Sequence, residues 1–211
     1  LSDGSVAILP TSTIFGLSCL YDSRDSIKRI YDIKKRPASS PFIVLISRTE
    51  SLGLLVAEIT QPASLLIRHF WESEEPKPLT LVFKKNRSLL SFITSCSPNI
   101  AVRLDPLLLL RKIIDLCGPV VSTSATVSGS ETVPAEINDI DDEIKSGADI
   151  VLDPSTSSPA GLCSAAPPVL VAASTILDVT GDTPVILREG ELKADFINRL
   201  TGIRTIRKDG K

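Results

Sequence analysis

The sequence predicts one α/β domain built on a twisted sheet of mixed parallel and antiparallel strands flanked by helices. Three observations carry that prediction. Short apolar runs of strand length alternate with stretches of helical periodicity. Residues 5–46 read as strand, loop, helix and strand, a β-loop-α-β unit. Gly181-Asp182 sits between two strand-like runs and suits a hairpin, so part of the sheet is antiparallel. The 211 residues can bury a substantial core, and no repeat or linker divides them. A core over residues 1–192 and a short tail over 193–211 are expected.

In chain order, residues 5–9 form a buried strand ended by Pro10-Thr11-Ser12-Thr13. Asp22 or Ser23 caps a helix with Ile27, Ile30 and Tyr31 on one face, running to Lys34. A strand follows at 42–46, then helices near 49–59 and 62–71, the second burying Leu65, Leu66, Phe70 and Trp71. Strands are expected at 79–83 and 100–104, separated from the preceding helix by a polar loop at 72–78. Pro106 opens a helix burying Leu109, Leu110, Ile113, Ile114 and Leu116, which Gly118-Pro119 ends. Val120-Val121 leads into hydroxyl-rich backbone, and a short acidic helix covers 135–145. A strand at 150–152, a loop at 154–168 rich in Ser, Pro and Ala, and strands at 174–179 and 183–187 complete the pattern.

The composition is globular, 43% hydrophobic and 23% charged, and the net charge of −2 excludes nucleic-acid binding through overall charge. Cys19, Cys96, Cys117 and Cys163 form no C-x-x-C pair, and with His69 the only histidine no Cys/His zinc site is expected. The cysteines read as reduced and mostly core residues, and no leader or membrane span is apparent, so a soluble cytoplasmic protein is expected. Methionine is absent, so the natural N-terminus is expected a little upstream of Leu1.

No nucleophile elbow, Walker loop or dinucleotide fingerprint occurs. His69 reads as an ordinary helix residue, and the acids at 139–143 as a solvated face. Instead, strands repeatedly run into hydroxyls: Thr11-Ser12-Thr13, Ser122-Thr123-Ser124 and Ser174-Thr175. In open α/β sheets ligands bind beyond strand ends, where loops present N–H and O–H groups. With Lys34, Arg36 and Arg188, these clusters favour an anion- and hydroxyl-recognising site working by positioning and electrostatics. Taken alone, Lys34-Lys35-Arg36-Pro37 is a helix end favoured by the helix dipole.

The ordered motifs resemble the YrdC-type threonylcarbamoyl-AMP synthase family. Leu9-Pro-Thr-Ser-Thr-Ile-Phe-Gly-Leu17 is similar to P-T-[DE]-T-x-Y-G-L, Lys34-Lys-Arg-Pro37 to K-x-R-P, and Pro78-Leu-Thr-Leu-Val82 to P-L-T-x-V. Ser124-Ala-Thr-Val-Ser-Gly129 is similar to S-A-N-x-S-G, and Ser174-Thr-Ile-Leu-Asp178 with Leu187-Arg-Glu-Gly190 to S-T-[IV]-x-D and L-R-x-G. The resemblance implies an open concave cleft in which L-threonine, bicarbonate and ATP become threonylcarbamoyl-AMP and pyrophosphate for the t6A modification of tRNA. It places Lys34, Arg36, Ser40, Thr80, Thr126 and Arg188 on ATP, and Thr13, Lys84, Ser124 and Ser174 on threonine. It implies Mg²⁺ travelling with ATP, held by phosphates and water without a dedicated metal site. The partners implied are t6A-pathway proteins, with tRNA or double-stranded RNA a further partner and no membrane. Arg36 is expected to matter to ATP far more than Arg103.

Ser12 replaces the family acid, Phe15 the tyrosine, Lys77 a glycine and Leu45 a histidine found in some members. Thr126 replaces the asparagine of S-A-N, exchanging an amide for a shorter hydroxyl. YciO-type paralogues also lack that asparagine but commonly lose the Lys-x-Arg kept here. A paralogue or an RNA-binding module without synthase activity stands as the alternative.

Overall fold

Strand-length apolar runs must pair their backbone groups, and here nearly all of them enter one sheet. The computed structural model describes residues 1, 4–37, 40–89, 91–128, 134, 136–154 and 173–208. The strands are β1 (Ala7–Leu9), β2 (Gly16–Leu20), β3 (Ile43–Ile46), β4 (Leu79–Lys84) and β5 (Asn99–Leu104), followed by β6 (Val120–Ser124), β7 (Ile150–Val151), β8 (Thr175–Asp178), β9 (Val185–Arg188) and β10 (Ile206–Arg207). Helices are α1 (Arg24–Lys34), α2 (Leu52–Leu55), α3 (Gln61–Phe70), α4 (Leu108–Cys117), α5 (Asp142–Gly147) and α6 (Ala194–Thr201). The spatial order is β10-β9-β8-β4-β5-β3-β6-β2-β1-β7. Parallel pairs (β1 with β7, β3 with β5, β4 with β8, β9 with β10) mix with antiparallel ones, as expected.

The two faces are covered unequally. One carries the main core, into which α1 sends Ile27 and Ile30, α3 sends Leu66 and Phe70, α5 sends Ile144 and α6 sends Ile197. On the other, α4 buries only Leu110 and Ile114 against Ala7, Leu9, Leu45 and Val120. The rest of that face lies open, and the site forms there.

Several expectations change. β2 was not anticipated, because Gly16 and Ser18 lower its strand propensity, yet it lies between β1 and β6. The helix expected over 49–59 shortens to a 3-10 turn and α2, since Val56 leaves the helix to bridge Lys85. The acidic helix splits into a 3-10 turn at Ile137–Asp139 and α5. Leu116 is 91% exposed, because Leu110 and Ile114 already face the sheet one turn apart and Leu116 points away. The expected tail is integral: Phe196 of α6 meets Phe70 edge-on at 6.3 Å, and β10 extends the sheet. Apart from Pro154, the loop over 154–168 lies outside the described residues. Among the described residues no helix is long and apolar enough to cross a membrane.

Gly190 lets two backbones meet. A Cβ there would stand 1.9 Å from the carbonyl oxygen of Ala173, whereas one at Gly181 meets nothing within 4 Å. Gly190→Ala is therefore expected to lower the melting temperature by about 5 °C and Gly181→Ala hardly at all, measured by calorimetry.

Candidate functional site

Register defines the open face. Arg188 pairs with Ile176, Ile176 with Thr80, Thr80 with Arg103, and Arg103 with Leu45. Residues laterally opposed in a sheet project from the same face, so this row crosses four strand boundaries on one side. Above it lies a cavity of ≈ 260 Å³ lined by Thr13, Arg36, Leu45, Arg103, Ser124, Ser174 and Arg188, among others. A second cavity of ≈ 560 Å³ shares Arg36 and Ser124 and adds Lys34, Ser40 and Thr126. No Asp or Glu is among the described residues lining either one. A chain of net charge −2 thus gathers five cations around one groove: Lys34, Lys35, Arg36, Arg103 and Arg188.

Arg103 is 5% exposed and Asp105 wholly buried, joined through Arg103 Nη2 at 2.7 Å. The Asp105 carboxylate also accepts from Ser12 N at 3.0 Å, Ser12 Oγ at 3.1 Å and Leu107 N at 3.1 Å. Arg103 Nη1 donates to Thr13 Oγ1 at 3.0 Å. Thr11 fixes the turn, its hydroxyl donating to the Ile14 carbonyl at 2.6 Å and accepting from Thr13 N and Ile14 N at 3.1 Å each. One carboxylate therefore orients the strand-end arginine and the hydroxyl loop facing it.

On the opposite wall, Arg188 Nε and Nη2 donate to the Ser174 carbonyl at 3.2 and 2.9 Å. Burial, and secondarily the like charge of Arg103, hold the Arg188 guanidinium below its usual pKa. Ser174 shares a 2.8 Å hydrogen bond with the hydroxyl of Thr80, which is fully buried beneath it.

The basic stretch owes its shape to Lys35. At φ 50° it is left-handed, and Lys35 N and Arg36 N return to the carbonyls of Asp32 and Tyr31, the Schellman close normally given to glycine. That reversal sends Lys34 and Arg36 different ways and leaves Lys35 exposed against Glu143. Lys34, 1% exposed, turns its ammonium onto the carbonyls of Ser124 and Thr126, with Ser124 Oγ at 3.4 Å. All three of its protons have acceptors, so it supplies charge to the groove rather than a free donor. Burial, then Arg36, lowers its pKa to about 8. Arg36 donates through Nη1 to Thr123 Oγ1 at 3.1 Å and through Nη2 to the Pro41 carbonyl at 2.9 Å, and lies over Phe42 at 5.5 Å. Two of its five N–H groups engage those partners, a third lies 3.5 Å from the Ser40 carbonyl, and two point elsewhere.

The structure thus brings Thr13, Lys34, Arg36, Ser40, Ser124, Thr126, Ser174 and Arg188 to one groove. Thr80 lies behind that wall, supporting Ser174. Lys84 is a correction. It has the right strand parity but lies four residues along β4 from Thr80, about 13 Å away. There it pairs with Glu58 at 2.7 Å, which raises its pKa, and it lines neither cavity. Arg103, ranked from sequence below Arg36 for ATP and given no other role in the site, lines the cavity. Its signal was a charge inside the apolar run Ile100–Leu104, followed at once by Asp105. Among the described residues no group of three or more His, Cys, Asp and Glu could hold a metal.

The family model Sua5/YciO/YrdC, described as "Telomere recombination", matches residues 1–190. The chain belongs to the Sua5/YciO/YrdC family. Among its relatives, the threonylcarbamoyl-AMP synthase of Pyrococcus abyssi is 29% identical, over 96% of this chain and 55% of the relative. That of Bacillus subtilis is 30% identical, over 96% and 54%. The chain spans about half the length of these relatives. The structure of P. abyssi Sua5 complexed with L-threonine superposes with a TM-score of 0.81 at 30% identity, covering 96% of this chain and 55% of that one. Escherichia coli YciO, 20% identical with a TM-score of 0.73 over 92% of this chain and 87% of its own, shares the fold.

Within this Sua5/YciO/YrdC domain, two predictions follow from the local geometry. Lys35→Gly should keep stability within about 1 kcal/mol, whereas Lys35→Val, β-branched in a left-handed position, should cost about 1–2 kcal/mol by denaturant titration. An anion held beside Lys34 would be favoured by the ammonium, whose charge is present below its pKa of about 8 and lost above it. Affinity of the groove for inorganic pyrophosphate, used as a probe anion and followed by calorimetry, should therefore fall as pH rises from about 7 to about 9 and stay flat in Lys34→Arg.

Proposed function

We propose that this chain makes threonylcarbamoyl-AMP from L-threonine, bicarbonate and ATP, releasing pyrophosphate, in the cytoplasm and toward t6A modification of tRNA. The observation that carries the reading is the two-ended cationic groove. Lys34, Arg36, Ser40 and Thr126 line its wider end, while Thr13, Arg103, Ser174 and Arg188 line the narrower, with Arg36 and Ser124 common to both cavities. The likeness to a Sua5 complexed with L-threonine supports the same reading.

Threonine and bicarbonate condense to a carbamate with loss of water. A carbamate oxygen then bonds to the α-phosphorus as its bond to the pyrophosphate oxygen breaks. No protein nucleophile is required, so the groove acts by aligning two anions and offsetting the charge of the transferring phosphoryl group. Arg36 would face the phosphates with its two remaining donors. Thr126 would meet the nucleotide through a short hydroxyl already shared with Ser124 Oγ at 2.9 Å. Arg103 would answer the threonine carboxylate, with Thr13, Ser124 and Ser174 around the amino acid. Mg²⁺ would enter on ATP, coordinated by phosphate oxygens and water. The product would pass to t6A-pathway proteins, and tRNA is the expected downstream partner.

Pyrophosphate release requiring both L-threonine and bicarbonate is the expected result, and turnover indifferent to threonine would contradict the proposal. Arg36→Ala should raise the Kd for ATP about tenfold or more and leave threonine affinity within about twofold. Arg103→Ala should do the reverse. Calorimetry with each substrate checks both.

A further inference from the structure

Tyr31 lies on α1 one turn before the basic stretch and touches every support of Arg36 except Thr123 and Pro41. Its backbone carbonyl accepts from Arg36 N at 3.0 Å. Its hydroxyl donates to the Ser40 carbonyl at 2.9 Å, the same oxygen that faces Arg36 Nε at 3.5 Å. With its single proton committed there, it accepts from Ser95 Oγ at 2.9 Å. Its ring meets Phe42 edge-on at 4.8 Å, and Phe42 is the surface on which the Arg36 guanidinium rests. Ser95 is itself held left-handed, φ 52°, by the turn that closes the 3-10 helix at Ser91–Thr94, where Cys96 N returns to the Ser91 carbonyl. The hydroxyl thus ties the loop after Arg36 to a fixed point outside the groove.

We infer that Tyr31 is a positioning residue for nucleotide binding: through Ser40 and Phe42 it fixes the plane of the Arg36 guanidinium so that its two remaining donors face the phosphates. The inference rests on the proposed ATP site. Without the hydroxyl, the Ser40 carbonyl keeps only the 3.5 Å contact of Arg36 Nε, and the guanidinium loses its fixed neighbour. The threonine end takes its supports from Arg103, Thr13 and Ser174 and shares only Arg36 with this network.

The test is a double-mutant cycle of Tyr31→Phe and Arg36→Ala, read as calorimetric Kd for ATP and, separately, for L-threonine. Tyr31→Phe keeps the ring and the backbone carbonyl. It should raise the ATP Kd three- to tenfold, leave the threonine Kd unchanged, and add nothing further in the Arg36→Ala background. Ser95→Ala, which removes the outer anchor without touching the aromatic pair, should give a smaller change in the same direction. An equal loss on both backgrounds, or equal losses for ATP and threonine, overturns the role, because a merely structural tyrosine would act that way. Unchanged ATP binding in Tyr31→Phe beside a wild type that binds ATP overturns it alone. A wild type without ATP affinity overturns it together with the proposed function.

Discussion

A buried ion pair, Arg103 with Asp105, is the constraint around which the groove is arranged. Leaving either charge buried alone would cost about 3–5 kcal/mol, so the pair survives only with its geometry intact. Asp105 meets that condition by accepting from Ser12 N, Ser12 Oγ and Leu107 N as well as from Arg103. These partners belong to the β1–β2 loop, the start of α4 and the end of β5. A single carboxylate therefore fixes the hydroxyl loop carrying Thr13 and the helix roofing part of the open face, and it sets the direction of Arg103. Ser12, in the place of the family acid, receives its negative partner from another strand.

The other end of the groove depends on backbone conformation. Lys35 adopts a left-handed turn, and only because of that do adjacent cations diverge, Lys34 beneath the β6 loop and Arg36 over Phe42. Both cations are held below their usual pKa by burial, so the unliganded groove carries an electrostatic cost that a polyanion would relieve. Beyond Arg36 and Ser124, which line both cavities, the two ends rest on separate supports.

Much of the framework was legible in the sequence because periodicity and turn chemistry agreed over α1, β3, β4 and β5. Lys34, Arg36, Ser124 and Ser174 were legible because they sit at strand or helix ends in ordered motifs. Arg103 was not. In an alternating strand a charge ordinarily marks the solvent face, and only pairing with β3 on one side and β4 on the other shows that this one is enclosed. Lys84 misled for the converse reason, since parity places a side chain on a face but does not say how far along the strand the site extends. β2 was hidden by Gly16 and Ser18. In the fold, a Cβ at Gly16 would stand 2.4 Å from Ser122 Oγ, and Ser18 donates to that same oxygen at 2.9 Å.

The Arg103–Asp105 pair organises the end of the groove proposed for the amino acid and not the end proposed for the nucleotide. The most direct test is calorimetric affinity for L-threonine and for ATP in Asp105→Asn, in protein shown by circular dichroism to be folded. The amide removes the charge that neutralises Arg103 and turns a donor toward Ser12 or Arg103. The predicted result is a threonine Kd raised about tenfold or more with the ATP Kd within about twofold. Unchanged threonine affinity, or equal losses for both ligands in a folded chain, would contradict it.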